Sequence, residues 1–433
     1  MNCEKLHQDI EKLKEQYNFF SSKLKFSTKE AKGKIALSEQ LRNTLTLQDQ
    51  ILESYLPDFF EKNPELIQIN LGNCIECRDV EGHPSNIFSI TELSSNSIML
   101  GGDDGTLYYA TMDKNGKVNL GGRIETKNAN GDSAHIRSVI KLSDGGVMVG
   151  GLRGALYRAI IDKNGNVNLG DRIECKDFNG AASIYSITQL FDNSIMIGGD
   201  NGTLYRVTID DNGNVNLSDR MECKNANGKP ANINSITQLF DKSIMIGCDD
   251  GTLCRAIIDK NGNVNLSDRI EYKDVNGNPV SVHSITQLRD NSVIIGGDNG
   301  TLYHAKVDEN GEFSLGDSVE CRDADNSLID IYSVTQLSDD SIMIGGSYGL
   351  LYRAKIDGNG KLVLGGYIEC KNVDYDRRDD FFPGGVYSVT QLSDDSIMIG
   401  GDDSTLYRAT IDQPTLSTLK QKINMIADKR APK

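Results

Sequence analysis

Residues 186–224 read SITQLFDNSIMIGGDNGTLYRVTIDDNGNVNLSDRMECK, and this stretch decides the fold. It divides into four β-rich runs: 186–190, 194–199, 203–210 and 215–224. Phe191-Asp192-Asn193 separates the first two, Asp200-Asn201-Gly202 the next two, and Asn212-Gly213 precedes the fourth. Short runs rich in β-branched and aromatic residues, bounded by Asn, Asp and Gly, predict antiparallel strands joined by tight turns. Asn-Gly supplies the positive φ angles that a two-residue hairpin needs.

The phrase recurs along the chain. Its opening serine stands at Ser89, Ser138, Ser186, Ser235, Ser284, Ser333 and Ser388, with spacings of 49, 48, 49, 49, 49 and 55. Four antiparallel strands in a period near 50 fit the blade of a β-propeller better than a solenoid repeat. The seventh unit stops after its third strand, TLYRATID (405–412), whereas IQINLGNCIECRD (67–79) precedes the first unit as an orphan fourth strand. The expectation is therefore an all-β, seven-bladed propeller over 67–412, with 67–79 completing the last blade and removing the open edges.

Pairing outward from the Asn164-Gly165 turn sets Arg158 opposite Asp171. It likewise sets Arg206 opposite Asp219, Arg255 opposite Asp268, and His304 opposite Asp317. In the first unit both charges vanish together, as Tyr109 and Gly122; Arg353 opposite Gly366 is the exception. Tyr157 with Arg172 and Tyr205 with Arg220 are predicted neighbours. Opposed cross-strand charges contribute about 0.2–1 kcal/mol each, so this set reads as blade stabilisation.

The D-G-T-L-Y and D-N-G-T-L-Y-R phrases resemble the repeats of PQQ-like and WD40-type propellers. The resemblance spans roughly 67–412 and implies the propeller fold. No Gly-His opens a unit, no Trp-Asp ends a strand, and the chain contains no Trp, so the WD40 Trp-Asp signature is absent.

The 433 residues carry a formal net charge of −16, and no basic cluster occurs in the repeats. Such a surface repels phosphate backbones and argues against nucleic acid as a partner. No apolar run is long enough for a membrane span, and the charged start MNCEKLHQDIEKLKEQ is unlike a secretory leader. Cys77, Cys175, Cys223, Cys321 and Cys370 fill one repeat slot that Thr126 and Tyr272 fill elsewhere. That slot reads as a packing position, with free thiols in a reducing, cytoplasmic compartment. Cys74 and Cys77 have C-x-x-C spacing without a second pair.

Residues 1–60 and 414–430 are expected to be helical. Leu6, Ile10, Leu13, Tyr17, Phe20 and Leu24 alternate at spacings of four and three, a coiled-coil seam. A second helix would carry Ile35, Leu41, Leu45, Leu52 and Tyr55, and a C-terminal one Leu416, Leu419, Ile423 and Ile426. These helices would bundle within one chain or join chains into a homo-oligomer.

The catalytic motifs weighed against the sequence do not fit. In I-D-K-N-G-N-V, Gly165 follows Asp162 by three residues, where an EF-hand needs Gly at position six. The Gly-Gly-Asp-Asn-Gly turns lie between strands and carry Asp where phosphate needs positive charge. A Glu and a Lys or Arg recur once per unit in the outermost strand (Glu174 and Lys176, for example), as solvated edge residues do. The five histidines show no ligand spacing. No cofactor or metal is expected.

Departures from the template are more informative. Most turns between second and third strands are acidic, but the second unit has Leu152-Arg153 and the sixth Ser347-Tyr348. The loop into the seventh unit, 374–385, is longer and reads DYDRRDDFFPGG. Arg153, Tyr348, Tyr375, Arg377, Arg378, Phe381 and Phe382 are thus the expected partner-binding residues, since aromatic residues and Arg dominate interface hot spots. The expected function is a non-enzymatic protein-interaction scaffold. Two alternatives stand beside it. One is a carbohydrate- or small-ligand-binding propeller, or a hydrolase, at an acidic channel mouth. The other is a bacterial effector acting in host cytosol, suggested by near-identical repeats and Asn/Asp/Ile/Lys-rich usage.

Overall fold

The computed structural model describes residues 69–411 apart from 80, 104, 163–164, 226, 275, 308–312, 371–383 and 403–404. Seven antiparallel sheets follow one another in chain order. In blade one the strands are Ile87–Ser94, Ser97–Gly102, Thr106–Met112 and Val118–Glu125, and the other blades repeat the pattern. In the third blade the fourth strand is split into Val215–Leu217 and Met221–Glu222. Blade seven is composite. The chain's first strand, Ile69–Leu71, pairs with its last, Leu406–Ile411, and Gly72 N–H donates to Arg408 O at 3.0 Å.

The first strands touch one another in sequence and the ring closes between Val386–Gln391 and Ile87–Ser94. The second strands are buried along their whole length, as in Ile195–Gly199. The first Gly of each Gly-Gly pair has a packing reason. A Cβ on Gly198 would lie 2.5 Å from Ile233 Cγ2 of the next blade. Removing that Cβ lets neighbouring blades close, so each interface buries the next blade's isoleucine or valine.

An innermost strand is a sheet edge, and its outward backbone groups need partners. The recurring Ser and Thr of S-I-T-Q-L supply them. Ser89 Oγ accepts from Val139 N, Ser138 from Ile187 N, Ser186 from Ile236 N and Ser235 from Ile285 N. Ser284, Ser333 and Ser388 complete the circuit through Val334 N, Val389 N and Ile90 N. The threonine two residues on donates to the same neighbour's carbonyl, as Thr237 Oγ1 does to Ile285 O at 2.6 Å. Gln then caps the preceding blade's turn: Gln238 Oε1 accepts from Phe191 N. Blade two carries Ile140 and Lys141 where the others have Thr and Gln or Glu.

Two expectations are corrected. First, the described residues contain no α-helix; their only helical pieces are three-residue 3-10 turns such as Leu152–Gly154. Among the described residues, the composite of a propeller with N- and C-terminal α-helices is replaced by the propeller. Period by itself does not fix a helix, because short helices need a packing partner. Segments 1–60 and 414–430, with the seam residues Leu6, Ile10, Leu13, Tyr17, Phe20 and Leu24, lie outside the described residues.

Second, the Arg/Asp register is different. Ile209 pairs with Val215, so five residues span the third hairpin, and Asp210 Oδ1 accepts from Asn212 N and Asn214 N inside it. The longer loop forces a bulge where the charged pair was expected: Arg255 faces Ser267, while Cys254 faces Arg269. The arginines turn the other way. Arg158, Arg206 and Arg255 pair with Asp144, Asp192 and Asp241 of their own blade's first turn at 2.8, 2.6 and 2.5 Å. Arg206 Nη1 also donates to Gly262 O of the next blade at 2.9 Å. The set still stabilises the propeller, but across blades as well as within them.

Candidate binding face at the channel mouth

One face carries both the blade-joining segments and the turns between second and third strands, because these hydrogen-bond to each other in every blade. Asp200 N donates to Ser183 O, Ser347 N to Asp330 O and Asp402 N to Gly385 O, and four equivalent bonds occupy the other blades. The opposite face carries the remaining turns, linked by the arginines.

On the first face, one position changes while its neighbours stay constant. The residue between the leading Ile or Val and the belt serine is Phe88, Arg137, Tyr185, Asn234, His283, Tyr332 and Tyr387. These partly exposed side chains stand on the ring of first strands, where the channel opens. Five of them touch in ring order across blades five, six, seven, one and two. His283 lies 5.5 Å from Tyr332, Tyr332 5.0 Å from Tyr387, and Tyr387 5.1 Å from Phe88, all tilted. The Arg137 guanidinium then covers Phe88 at 3.8 Å, a cation–π contact. Arg137 Nε is buried without a hydrogen-bond partner among the described residues.

Carboxylates of the acidic turns back this arc. Tyr185 Oη donates to Asp200 Oδ1 at 2.6 Å and Tyr387 Oη to Asp402 Oδ2 at 3.1 Å; His283 Nε2 lies 2.6 Å from Asp298 Oδ1. Burial, then the neighbouring Asp200 or Asp402, raises the Tyr185 and Tyr387 hydroxyls well above the usual range, so both remain donors. The hydrogen bond from His283 lowers the Asp298 carboxyl. The same aspartates brace the fold: Asp200 Oδ2 accepts from Ser183 N and Asp402 Oδ2 from Gly385 N. The acidic turns are thus partly structural, which their sequence did not reveal.

Gly385 replaces the Asn86, His135, Ser183, Asn232, Ser281 or Asp330 of other blades. A Cβ there would lie 2.6 Å from the Tyr332 ring. The glycine makes room for Tyr332 to lean toward Tyr387.

Of the expected binding residues, Arg153 and Tyr348 are on this face. Arg153 is exposed and Tyr348 is 41% exposed. Both occupy the left-handed region, φ 54° and 58°, where blades three and five use Asn201 and Asn299. A side chain other than Gly, Asn or Asp is strained there. The turn Ser347–Gly349 packs against Val386–Gln391 of blade seven, and Leu152–Gly154 against Ile184–Gln189 of blade three. The two residues therefore flank the mouth from different blades and do not meet. Tyr375, Arg377, Arg378, Phe381 and Phe382 lie outside the described residues. The arc itself was missed by the sequence reading. Its signal is a variable position between a leading Ile or Val and an invariant serine.

Among the described residues, no group of three His, Cys, Asp or Glu is arranged to hold a metal ion, and no helix is long and apolar enough to cross a membrane.

No protein-family profile and no curated protein matches the chain. Solved structures do. The WD40 β-propeller domain of Doa1 aligns with TM-score 0.54 at 14% identity, over 81% of this chain and 98% of that one. YCF48 bound to D1 peptide aligns with TM-score 0.53 at 12% identity, over 81% and 96%. The periplasmic gluconolactonase PpgL of Pseudomonas aeruginosa aligns with TM-score 0.52 at 10% identity, over 66% and 84%. At these identities the likeness is one of fold: the chain is a seven-bladed β-propeller repeat protein, similar in architecture to WD40 domains and to lactonase-type propellers alike.

Proposed function

We propose that the chain is a non-enzymatic interaction platform that captures a segment of a partner protein at the channel mouth. The arc His283–Tyr332–Tyr387–Phe88–Arg137 carries this reading. Rigid aromatic side chains give contact area at low entropic cost, and Arg137 Nε is a buried donor in need of an acceptor such as a peptide carbonyl. Strain at Arg153 and Tyr348 extends the reading to the surrounding turns, because strained residues cluster at functional sites. The solved structure of YCF48 with a D1 peptide supports it as a parallel in the same fold. The eight cysteines among the described residues are unbridged, which suits a reducing compartment such as the cytoplasm.

Affinity capture with quantitative mass spectrometry tests the proposal, comparing the native chain with Tyr332→Ala/Tyr387→Ala. The expected result is loss of one or more specific partners by at least tenfold with the fold retained. Unchanged capture would defeat it. A second reading, a small-ligand or hydrolytic site in the same mouth, rests on the His283–Asp298 pair beside Tyr332 and on the gluconolactonase likeness in fold. Thermal-shift screening against lactones and sugars separates the two readings.

A further inference from the structure

Blade four departs from the template twice, and both departures introduce cysteine. Cys254 stands where the other blades have Tyr108, Tyr157, Tyr205, Tyr303, Tyr352 and Tyr407. Cys248 stands where they have the second Gly of Gly-Gly. Both point at the slot cysteine of blade three. Cys223 Sγ lies 3.1 Å from Cys254 Sγ and 3.9 Å from Cys248 Sγ, and all three residues are buried.

The fold does not require this. In blades one, two, three and six the tyrosine hydroxyl donates to the backbone carbonyl of the joining segment, as Tyr205 does to Lys176 O at 2.8 Å. Cys254 gives that bond up. At the Cys248 position a Cβ is unwelcome: in blades three and five it would lie 1.8 Å from Ser183 O and Ser281 O. Filling the space left by a tyrosine explains added volume, but not sulfur at both positions.

We infer that Cys223 and Cys254 are a juxtaposed thiol pair that a small hydroperoxide converts to a disulfide, covalently joining blade three to blade four. Two thiolates on one tetrahedral ion at about 2.3 Å stand about 3.8 Å apart. The 3.1 Å separation lies between that value and the roughly 2.05 Å of a bridge, and among the described residues no group of three His, Cys, Asp or Glu is arranged to hold a metal ion. Arg269 sits opposite Cys254 in the ladder, and its charge only partly offsets the thiol contacts and burial that raise both sulfurs. The Cys248 thiol and burial hold Cys223 high, and the Cys223 thiol and burial do the same for Cys254, so the resting state is the dithiol. In the reaction one thiolate attacks a peroxide oxygen, the O–O bond breaks and, with hydrogen peroxide, water leaves. The resulting sulfenic acid loses its hydroxyl as a second water when the other sulfur attacks. Each sulfur gives up one electron, and the peroxide is reduced by two.

The test treats the full-length chain with hydrogen peroxide, then denatures and alkylates it for thiol counting and peptide mapping. Two of the nine thiols are expected to disappear, with Cys223 linked to Cys254, a raised Tm, and reversal by dithiothreitol. Cys248→Ala should keep the bridge. Cys223→Ser should abolish it, as should Cys248→Gly/Cys254→Tyr, which restores the residues other blades carry. Nine free thiols after treatment, a bridge from Cys223 to Cys248, or two thiols still lost in the restored variant would each overturn the inference.

Discussion

Replacing Ser235 by Ala and Thr237 by Val strips one blade interface of its belt. Ser235 Oγ accepts from Ile285 N at 3.1 Å and Thr237 Oγ1 donates to Ile285 O at 2.6 Å. Both backbone groups lie on the edge of the innermost strand, so no neighbouring strand within the blade can take them over. An orphaned buried backbone group costs about 1–3 kcal/mol. The two losses share one residue and couple, so the double variant should lose about 2–4 kcal/mol. The propeller spans Ile69–Thr410. With an unfolding entropy of about 2.1 cal/mol/K per residue, each kcal/mol lowers Tm by about 1.4 °C. The expected drop is therefore about 3–6 °C by differential scanning calorimetry. Thr208→Val, at an exposed third-strand position, is the control and should change little. A double variant melting within 1 °C of the native chain (roughly the effect of a neutral surface change) would refute the belt.

Other outcomes follow from the same geometry. Ile140→Thr/Lys141→Gln restores the belt residues missing from blade two and should raise Tm by about 1–2 °C, set by one or two added hydrogen bonds. Arg153→Asn and Tyr348→Asn relieve left-handed strain of about 1 kcal/mol each and should stabilise the fold while weakening partner capture, measured by melting and pull-down. Acid should unfold the protein through its turn aspartates. Burial raises Asp192 and Asp241, but the Ser194 or Ser243 hydrogen bonds and the arginines outweigh it, leaving both below the usual range. A depressed folded pKa gives stability that is fully present above the unfolded value and is lost as pH falls through the folded one. The loss should begin below about pH 4, and Asp192→Asn/Asp241→Asn should flatten it in acid titrations followed by circular dichroism.

The architecture was legible because its cause repeats. Gly-Gly, S-x-T-Q and the turn residues recur since each blade solves one interface problem seven times, and the missing fourth strand announced the closure. Register was less legible. The Asn-Gly pair suggested a two-residue hairpin, yet Asp210 collects backbone N–H groups in a five-residue loop, and the register shifts by a bulge, as at Arg255. The helical ends were read from period alone, and the described structure is all β. The binding face was half legible. Arg153 and Tyr348 stood out as departures in the turns, whereas the arc hid in a strand, where variation looks like tolerance. Only the ring of first strands turns five of the seven unlike residues, far apart in sequence, into neighbours.

Hydrogen exchange on the chain with and without its captured partner tests whether the channel mouth is the binding face. Protection is expected in peptides covering 135–138, 330–334, 347–349 and 384–388, which carry Arg137, Tyr332, Tyr348 and Tyr387. Protection instead at the opposite-face turns 190–193 and 239–242, around exposed Phe191 and Phe240, would contradict it.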